Sequence, residues 1–382
     1  MLVLKMATFQ CLILVLVATL ALDSVVANDA AKPCESDSCT IDNNCRCSSQ
    51  SSPLSGDVTD WPQLISLTFD EAVTQHIFDN SWIPLLQNIY NPDNNPISGT
   101  FFVPHEYTSY ERVNDLYNYG FEIGVHSITK NPLQTYWRDA SQDTLTKEFK
   151  GQKQIISTYA NIPAEAITGV RTPQLQLAGN TSIDAYIASE LTYDSSWPSL
   201  PTKRLFPYTL DYLSTEQCLL GAECPNEAFP GYWVLPINDL TGPNGTECNS
   251  LATCGIEGSV EEIATYLDKQ IDGVRSKTRT PITLLVNSYW FEFTENSFNA
   301  LRKFLEDTVK RDEKDTFFVS QKQVLAFTKS PVKLADFKTD DLPEPANCDP
   351  YPCRLKKGNE DRNMDSCVPC PDVYPWIDNV NV

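Results

Sequence analysis

The chain has 382 residues, a formal net charge of −21 and 21% charged residues. An acidic excess of this size argues against nucleic acid as a partner, because phosphates would be repelled, whereas a neutral ligand such as a sugar polymer is indifferent to it. The length is generous for one domain but within reach of a barrel.

Residues 1–27 read as a secretory signal peptide. Lys5 stands near the start, an apolar run covers 11–22, and Val25, Val26 and Ala27 form the cleavage region. The apolar run is too short to span a bilayer comfortably, and no later stretch is long enough, so a secreted, extracellular protein with no membrane span is expected. Of 13 cysteines, Cys11 falls in the leader, which leaves 13 − 1 = 12. An even number in an oxidising compartment predicts disulfides. The cysteines form three groups: Cys34, Cys39, Cys45 and Cys47; Cys218, Cys224, Cys248 and Cys254; and Cys348, Cys353, Cys367 and Cys370. The Cys45-x-Cys47 spacing is too short for a zinc knuckle. Local pairing of Cys218 with Cys224 and of Cys248 with Cys254 is the economical arrangement; the terminal groups either staple to each other or pair internally. Asn180 and Asn244 open glycosylation sequons.

Residues 28–58 are polar, Cys-rich and aperiodic, and form an N-terminal lead-in. From residue 64 short apolar runs alternate with longer amphipathic ones, which predicts α/β architecture. Strands are expected at 64–69, 99–103, 121–125, 167–170, 191–193, 232–236, 282–286 and 316–319. Helices are expected at 78–89, 111–119, 142–159, 181–189, 260–273 and 295–309. Ser259, followed by Glu261 and Glu262, is a helix start. The domain is assigned to 59–330, and a Cys-rich, Pro-rich tail over 331–382 is expected to wrap its surface.

The ends of these strands carry the chemistry. Asp70 and Glu71 follow the first, His126 the third and Arg171 the fourth. Asp194 follows the fifth, Asp239 the sixth and Asn287 the seventh, with Trp290 close behind. One such residue is an ordinary turn or cap. Several in the same position predict a parallel barrel whose strand C-termini open on one functional face.

The spelling of these segments resembles the polysaccharide deacetylases (NodB homology, carbohydrate esterase family 4), and within them the insect chitin deacetylases without extra chitin-binding modules. The motifs stand as Thr68-Phe-Asp-Glu71, His126-Ser-Ile-Thr-Lys130, Arg171-Thr-Pro173, Asp194-Ser-Ser-Trp197 and Leu285-Val-Asn287 followed by aromatics. The subgroup adds segments like 100–108, 206–212 and 45–49. The resemblance implies a distorted (β/α) barrel with fewer than eight full repeats, braced by disulfide-bonded N- and C-terminal extensions. It implies chitin or chito-oligosaccharides as partners and a setting such as the gut lining matrix; the oligomeric state is left open.

The same resemblance implies that Asp70 is the catalytic base, that Glu71 and His126 are metal ligands, and that zinc is the ion. It also implies that Arg171, Pro173, Tyr193, Asp194, Trp197 and Trp290 serve the substrate site. Two positions depart from the pattern. Lys130 stands where the third ligand, a histidine, belongs, and its ammonium must lose a proton before it can ligate. Asn287 replaces the histidine acid, and an amide cannot deliver a proton. The expectation is therefore a protein that binds N-acetylglucosamine polymers with weak or absent deacetylase activity; an active metal-dependent deacetylase with an unusual ligand set is the alternative. A glycoside hydrolase built on Asp70 and Asp194 has no motif behind it.

Several readings of the residues themselves stay open. His126 is either a ligand or an imidazole bonded to Glu71 or to backbone. Lys130 can place an ammonium where the metal charge would be, paired with Asp70 or Glu71. Asn131 can offer a carbonyl oxygen, Arg171 can pair with Asp70, and Tyr193, Trp197 and Trp290 can be core residues. His76 and His105 are not expected at the site.

Overall fold

Gln63–Phe69 (β1) is buried at every position, as a strand covered on both faces must be. This strand is the axis of the sheet in the computed structural model, which describes residues 28–380; the leader expected at 1–27 lies outside them. The other strands of the sheet are Gly99–Pro104 (β2), Glu122–Ser127 (β3), Gly169–Val170 (β4), Tyr193–Asp194 (β5), Tyr208–Leu210 (β6), Phe229–Val234 (β7), Ile282–Leu285 (β8) and Thr316–Phe318 (β9). Their order is β8-β1-β2-β3-β4-β5-β7-β6. β9 pairs with the opening residues of β1, Gln63 facing Thr316, while β2 pairs with the closing ones, Phe69 facing Phe101. Every pairing is parallel except β6 with β7.

The sheet curls far enough to bring the segment after β7 against β8. No backbone ladder is recorded along this seam among the described residues. Thr283 Oγ1 donates to the Pro236 carbonyl (3.3 Å), and Asn238 Nδ2 donates to the Pro281 carbonyl (2.9 Å). This is the distorted barrel that the sequence predicts. Its interior is tight: a Cβ at Gly169 would run into the Tyr193 ring, so only glycine fits beneath that side chain.

Helices return the chain between strands: Tyr110–Asn118 (α1), Gln142–Tyr159 (α2), Asn180–Ala188 (α3), Val260–Arg275 (α4), Ser288–Phe293 (α5), Ser297–Val309 (α6) and Gln321–Lys329 (α7). α4 begins at the expected place, with a reciprocal capping box between Ser259 and Glu262. The helix expected over 78–89 runs from Gln75 to Leu86 and carries a π-helical turn at Phe78–Trp82. Strand β6 and helices α5 and α7 were not anticipated. No helix among the described residues is long and apolar enough to cross a membrane.

Among the described residues, six disulfides brace the molecule. Cys218 pairs with Cys224 and Cys248 with Cys254, as expected. The terminal groups pair internally: Cys34 with Cys47, Cys39 with Cys45, Cys348 with Cys367, and Cys353 with Cys370. The lead-in covers the sheet edge at β6, where the Thr209 N–H donates to the Arg46 carbonyl (2.9 Å) and the Phe206 N–H to Ser49 (3.1 Å). The tail contains a hairpin, Tyr351–Lys357 (β10) with Glu360–Ser366 (β11). It docks on the barrel through the Cys367 N–H to the Tyr159 carbonyl (2.7 Å) and an Arg362–Glu106 ion pair (3.0 Å).

Beside β6, the buried Glu216 accepts from Ser199 Oγ and from Tyr208 Oη. Burial pushes its carboxyl up to about 8 despite these bonds and the nearby Lys203. The unfolded chain loses that proton near the ordinary 4.5. Stability from this group is thus complete below the unfolded value and falls as pH rises toward the folded one. Glu216→Gln should therefore lose less thermal stability than the wild type between about pH 5 and pH 8.5, read by thermal melts. Parallel losses in the two proteins would contradict this role.

Candidate active site

The parallel strands bring Asp70, His126, Arg171, Asp194 and Asn287 to one end of the barrel. Asp70 and Glu71 leave β1, His126 lies near the end of β3, and Asn287 caps the start of α5 after β8.

Asp70 is held from two sides. Asn287 Nδ2 donates to its Oδ1 (3.0 Å), and Lys130 Nζ donates to its backbone carbonyl (2.7 Å). Burial opposes ionisation of the Asp70 carboxyl, but His126, Lys130, Arg171 and the Asn287 bond together hold it below the usual carboxylate range. Asn287 is itself fixed by Ser250, whose hydroxyl donates to Oδ1 (3.0 Å). Ser250 lies inside the loop closed by Cys248 and Cys254, so a disulfide loop sets the rotamer of the residue that holds the candidate base.

Glu71 is engaged elsewhere. Its Oε1 accepts the Ser288 N–H (2.5 Å) and its Oε2 accepts the Ser288 hydroxyl (2.9 Å). The carboxylate thus satisfies the opening turn of α5, where unpaired N–H groups attract an acid. Burial raises its carboxyl above the ordinary value, partly offset by the Ser288 bonds and Lys130.

His126 is buried, and its Nδ1 bonds the Arg171 carbonyl (2.8 Å). A carbonyl only accepts, so Nδ1 carries the proton and Nε2 keeps its lone pair. Burial and Lys130 pull the imidazole down to about 3, so it is neutral at physiological pH. A ring nitrogen anchored on a carbonyl is the usual support of a ligating histidine. The rest of the set does not match it. The only group of three His, Cys, Asp or Glu ligand atoms close enough to share a metal, among the described residues, is Cys34, Cys39 and Cys47, and all three are in disulfides. With Glu71 bonded to Ser288 and Lys130 an exposed amine, the residues present do not fit a three-ligand zinc centre.

Lys130 sits at φ 43°, a left-handed conformation that a lysine enters only when its surroundings hold it there. Glu148, on α2, supplies part of that hold. This buried carboxylate accepts the backbone N–H groups of Ile128 (3.0 Å) and Thr129 (2.9 Å), the Thr129 hydroxyl, and the Tyr136 hydroxyl (2.7 Å). Asn131 is committed to its own turn: its Oδ1 accepts the Leu133 N–H (3.0 Å) and its carbonyl accepts Trp137 Nε1 (2.8 Å).

The residues expected to touch substrate lie deep. Arg171 is fully buried; it bonds the Ser195 carbonyl (2.7 Å), Ser195 Oγ (3.0 Å) and Thr68 Oγ1 (2.7 Å), and its guanidinium lies 4.5 Å from the Phe102 ring centroid. No direct ion pair joins it to Asp70 among the described residues. Burial pulls it down to about 10, which leaves it charged. Asp194 accepts from Ser196 Oγ (2.5 Å) and Trp197 Nε1 (2.7 Å), and burial raises its carboxyl to about 7. Tyr193 points down the barrel to Glu122 (2.7 Å) at the opposite end of the strands. Pro173, Trp197 and Trp290 are also buried.

Tyr289, overlooked in the sequence, is 43% exposed and feels the charges of Asp70 and Glu71, while burial raises its hydroxyl above the ordinary value. A polar-tipped aromatic two residues beyond a strand-end Asn was the available signal. His105 bonds Tyr110 (2.7 Å) and the Pro375 carbonyl (2.9 Å) and anchors the tail, and His76 is an exposed partner of Asn80. Asn244 is exposed, whereas Asn180 is engaged with Asn226 and Glu227.

No protein-family model matches the chain. Two silkworm (Bombyx mori) proteins do. Chitin deacetylase 8 is 32% identical over 98% of this chain and 99% of its own length. Chitin deacetylase 1 is 28% identical over 91% of this chain and 68% of its own length. Among solved structures, a protein from Mycobacterium smegmatis described as a polysaccharide deacetylase covers 78% of this chain and 99% of its own, with 15% identity and a TM-score of 0.49.

If Glu71 chiefly satisfies α5, then Glu71→Ala should cost about 1–2 kcal/mol in urea unfolding, as loss of a charged cap does. Glu71→Gln, which keeps an acceptor, should recover more than half of it. Equal stability of all three proteins would contradict the capping role.

Proposed function

Because this chain belongs to the chitin deacetylase family, we propose that it is a secreted protein that engages N-acetylglucosamine polymers at the Asp70 face, with deacetylation weak or absent. The observation that carries this reading is the occupation of the motif residues. Glu71 is bonded through both oxygens to Ser288, and Lys130 reaches the Asp70 carbonyl from the third ligand's position.

Hydrolysis of an acetamide needs an activated water, a base, and an acid for the leaving amine. Asp70 is ionised at neutral pH and keeps Oδ2 without a hydrogen-bond partner among the described residues, so it suits the first two tasks or the recognition of an amide N–H. The third task has no imidazole at the motif position. Asn287 donates a hydrogen bond but cannot release a proton, and loss of a general acid typically costs about 10²–10⁴ in rate, or about 3–5 kcal/mol of barrier. Lys130 keeps donors beyond the one spent on Asp70, and an ammonium there can meet an acetamido carbonyl without any metal. Six disulfides and the exposed sequon at Asn244 support an extracellular setting.

A second reading, an active metal-dependent deacetylase, has one observation in its favour: His126 presents Nε2 with its tautomer already fixed. It would require Glu71 to abandon Ser288.

Acetate release from chito-oligosaccharides, with and without added zinc or cobalt, separates the two. The binding reading predicts release near background, with an increase when Lys130→His and Asn287→His are combined. Turnover by the wild type that Asp70→Asn abolishes would overturn it.

A further inference from the structure

The opposite end of the barrel carries a second groove. Residues 86–97 lead into β2 and residues 119–121 into β3, so the groove lies at the strand N-termini, across the barrel from Asp70. It has a volume of about 290 Å³. Leu86, Ile89, Ile97 and Phe121 line it as an apolar floor, each nearly fully buried. Gln87, Asn88, Tyr90 and Tyr119 stand exposed along its rim, and none of these four side chains makes a hydrogen bond among the described residues; the Gln87 backbone carbonyl accepts from Arg302 Nη1 (2.8 Å). Asn88 holds φ 60°, which turns the chain sharply between Gln87 and the Ile89 floor. Beyond Tyr90 the depression continues past Asn91 and Asn94 to Lys310 and Lys314.

The charge of the lining decides the occupant. None of the residues lining the 290 Å³ groove is charged, on a chain of net charge −21. A second copy of this chain would bring the same negative charge and be repelled, and a charged peptide or polyanion would find no counter-charge within the groove itself; Lys310 and Lys314 lie only in the continuation beyond Tyr90, where Glu306 offsets them. A neutral ligand with apolar faces and many hydrogen-bonding groups meets no such cost. Half-exposed tyrosine rings offer flat surface to the C–H faces of sugar rings. Free amides and hydroxyls beside them suit sugar hydroxyls and acetamido groups, while the aliphatic floor suits acetyl methyls.

The geometry points to a second, non-catalytic binding site for a β-linked N-acetylglucosamine chain, with Tyr90 and Tyr119 as its platforms. The choice of sugar rests on the chitin-binding reading above. A protein with two such surfaces at opposite ends would hold an insoluble chitin surface while the Asp70 face stays open to chains.

Hydrogen exchange with a soluble N-acetylglucosamine hexamer tests both faces independently. The expected result is protection of peptides spanning 86–97 and 117–121, reversed by Tyr90→Ala combined with Tyr119→Ala. The same double variant should lower retention on insoluble chitin at least tenfold. Protection over 126–133 and 287–293 reports the Asp70 face, so either reading can fail without the other. Absence of protection at 86–97 at saturating hexamer, or equal protection by cellohexaose, would overturn the assignment, as would unchanged retention of the double variant.

Discussion

One buried guanidinium governs the geometry of the site. Arg171 leaves β4 without contact with solvent and spends its donors on Thr68, at the end of β1, and on Ser195, just beyond β5. It thereby ties strands that are not neighbours in the sheet, while its backbone carbonyl fixes His126. A buried charge is tolerated only when it is well bonded and balanced. Here the bonds are to neutral oxygens, and Asp70 supplies the compensating field from a distance. The ionised state of Asp70 and the charged state of Arg171 thus support each other without direct contact.

From that centre a second chain of dependence runs outward. The loop closed by Cys248 and Cys254 carries Ser250, Ser250 orients Asn287, and Asn287 holds Asp70. On the other side Glu148 organises the turn that delivers Lys130 to the Asp70 carbonyl. The site is preorganised around an ionised carboxylate flanked by a cation and an amide. That environment favours recognition of a neutral polar group more than it favours proton delivery to a leaving amine.

Much of this was legible in the sequence. Strand ends are read well because apolar runs stop where polar residues begin, and in a parallel sheet those stops coincide in space. Asp70, His126 and Asn287 were therefore placed correctly at one end from order alone. Partners were less legible. Nothing in the sequence tells that Glu71 turns to Ser288, since that depends on where α5 starts after a strand more than two hundred residues away. Glu148 sits among the apolar positions of α2 and reads as one acid on an amphipathic helix until the turn it holds is seen. Asp194 and Trp197 are expected at the substrate site, with a core position also open for Trp197; the structure buries both and bonds them to each other.

The central claim is that Glu71 and Lys130 have been diverted from metal ligation to holding the site's shape. Calorimetric titration of zinc into the purified, metal-stripped protein tests it most directly. The account predicts no stoichiometric binding and no difference between the wild type and His126→Ala. One zinc per chain, bound with proton release and lost in His126→Ala, would contradict it.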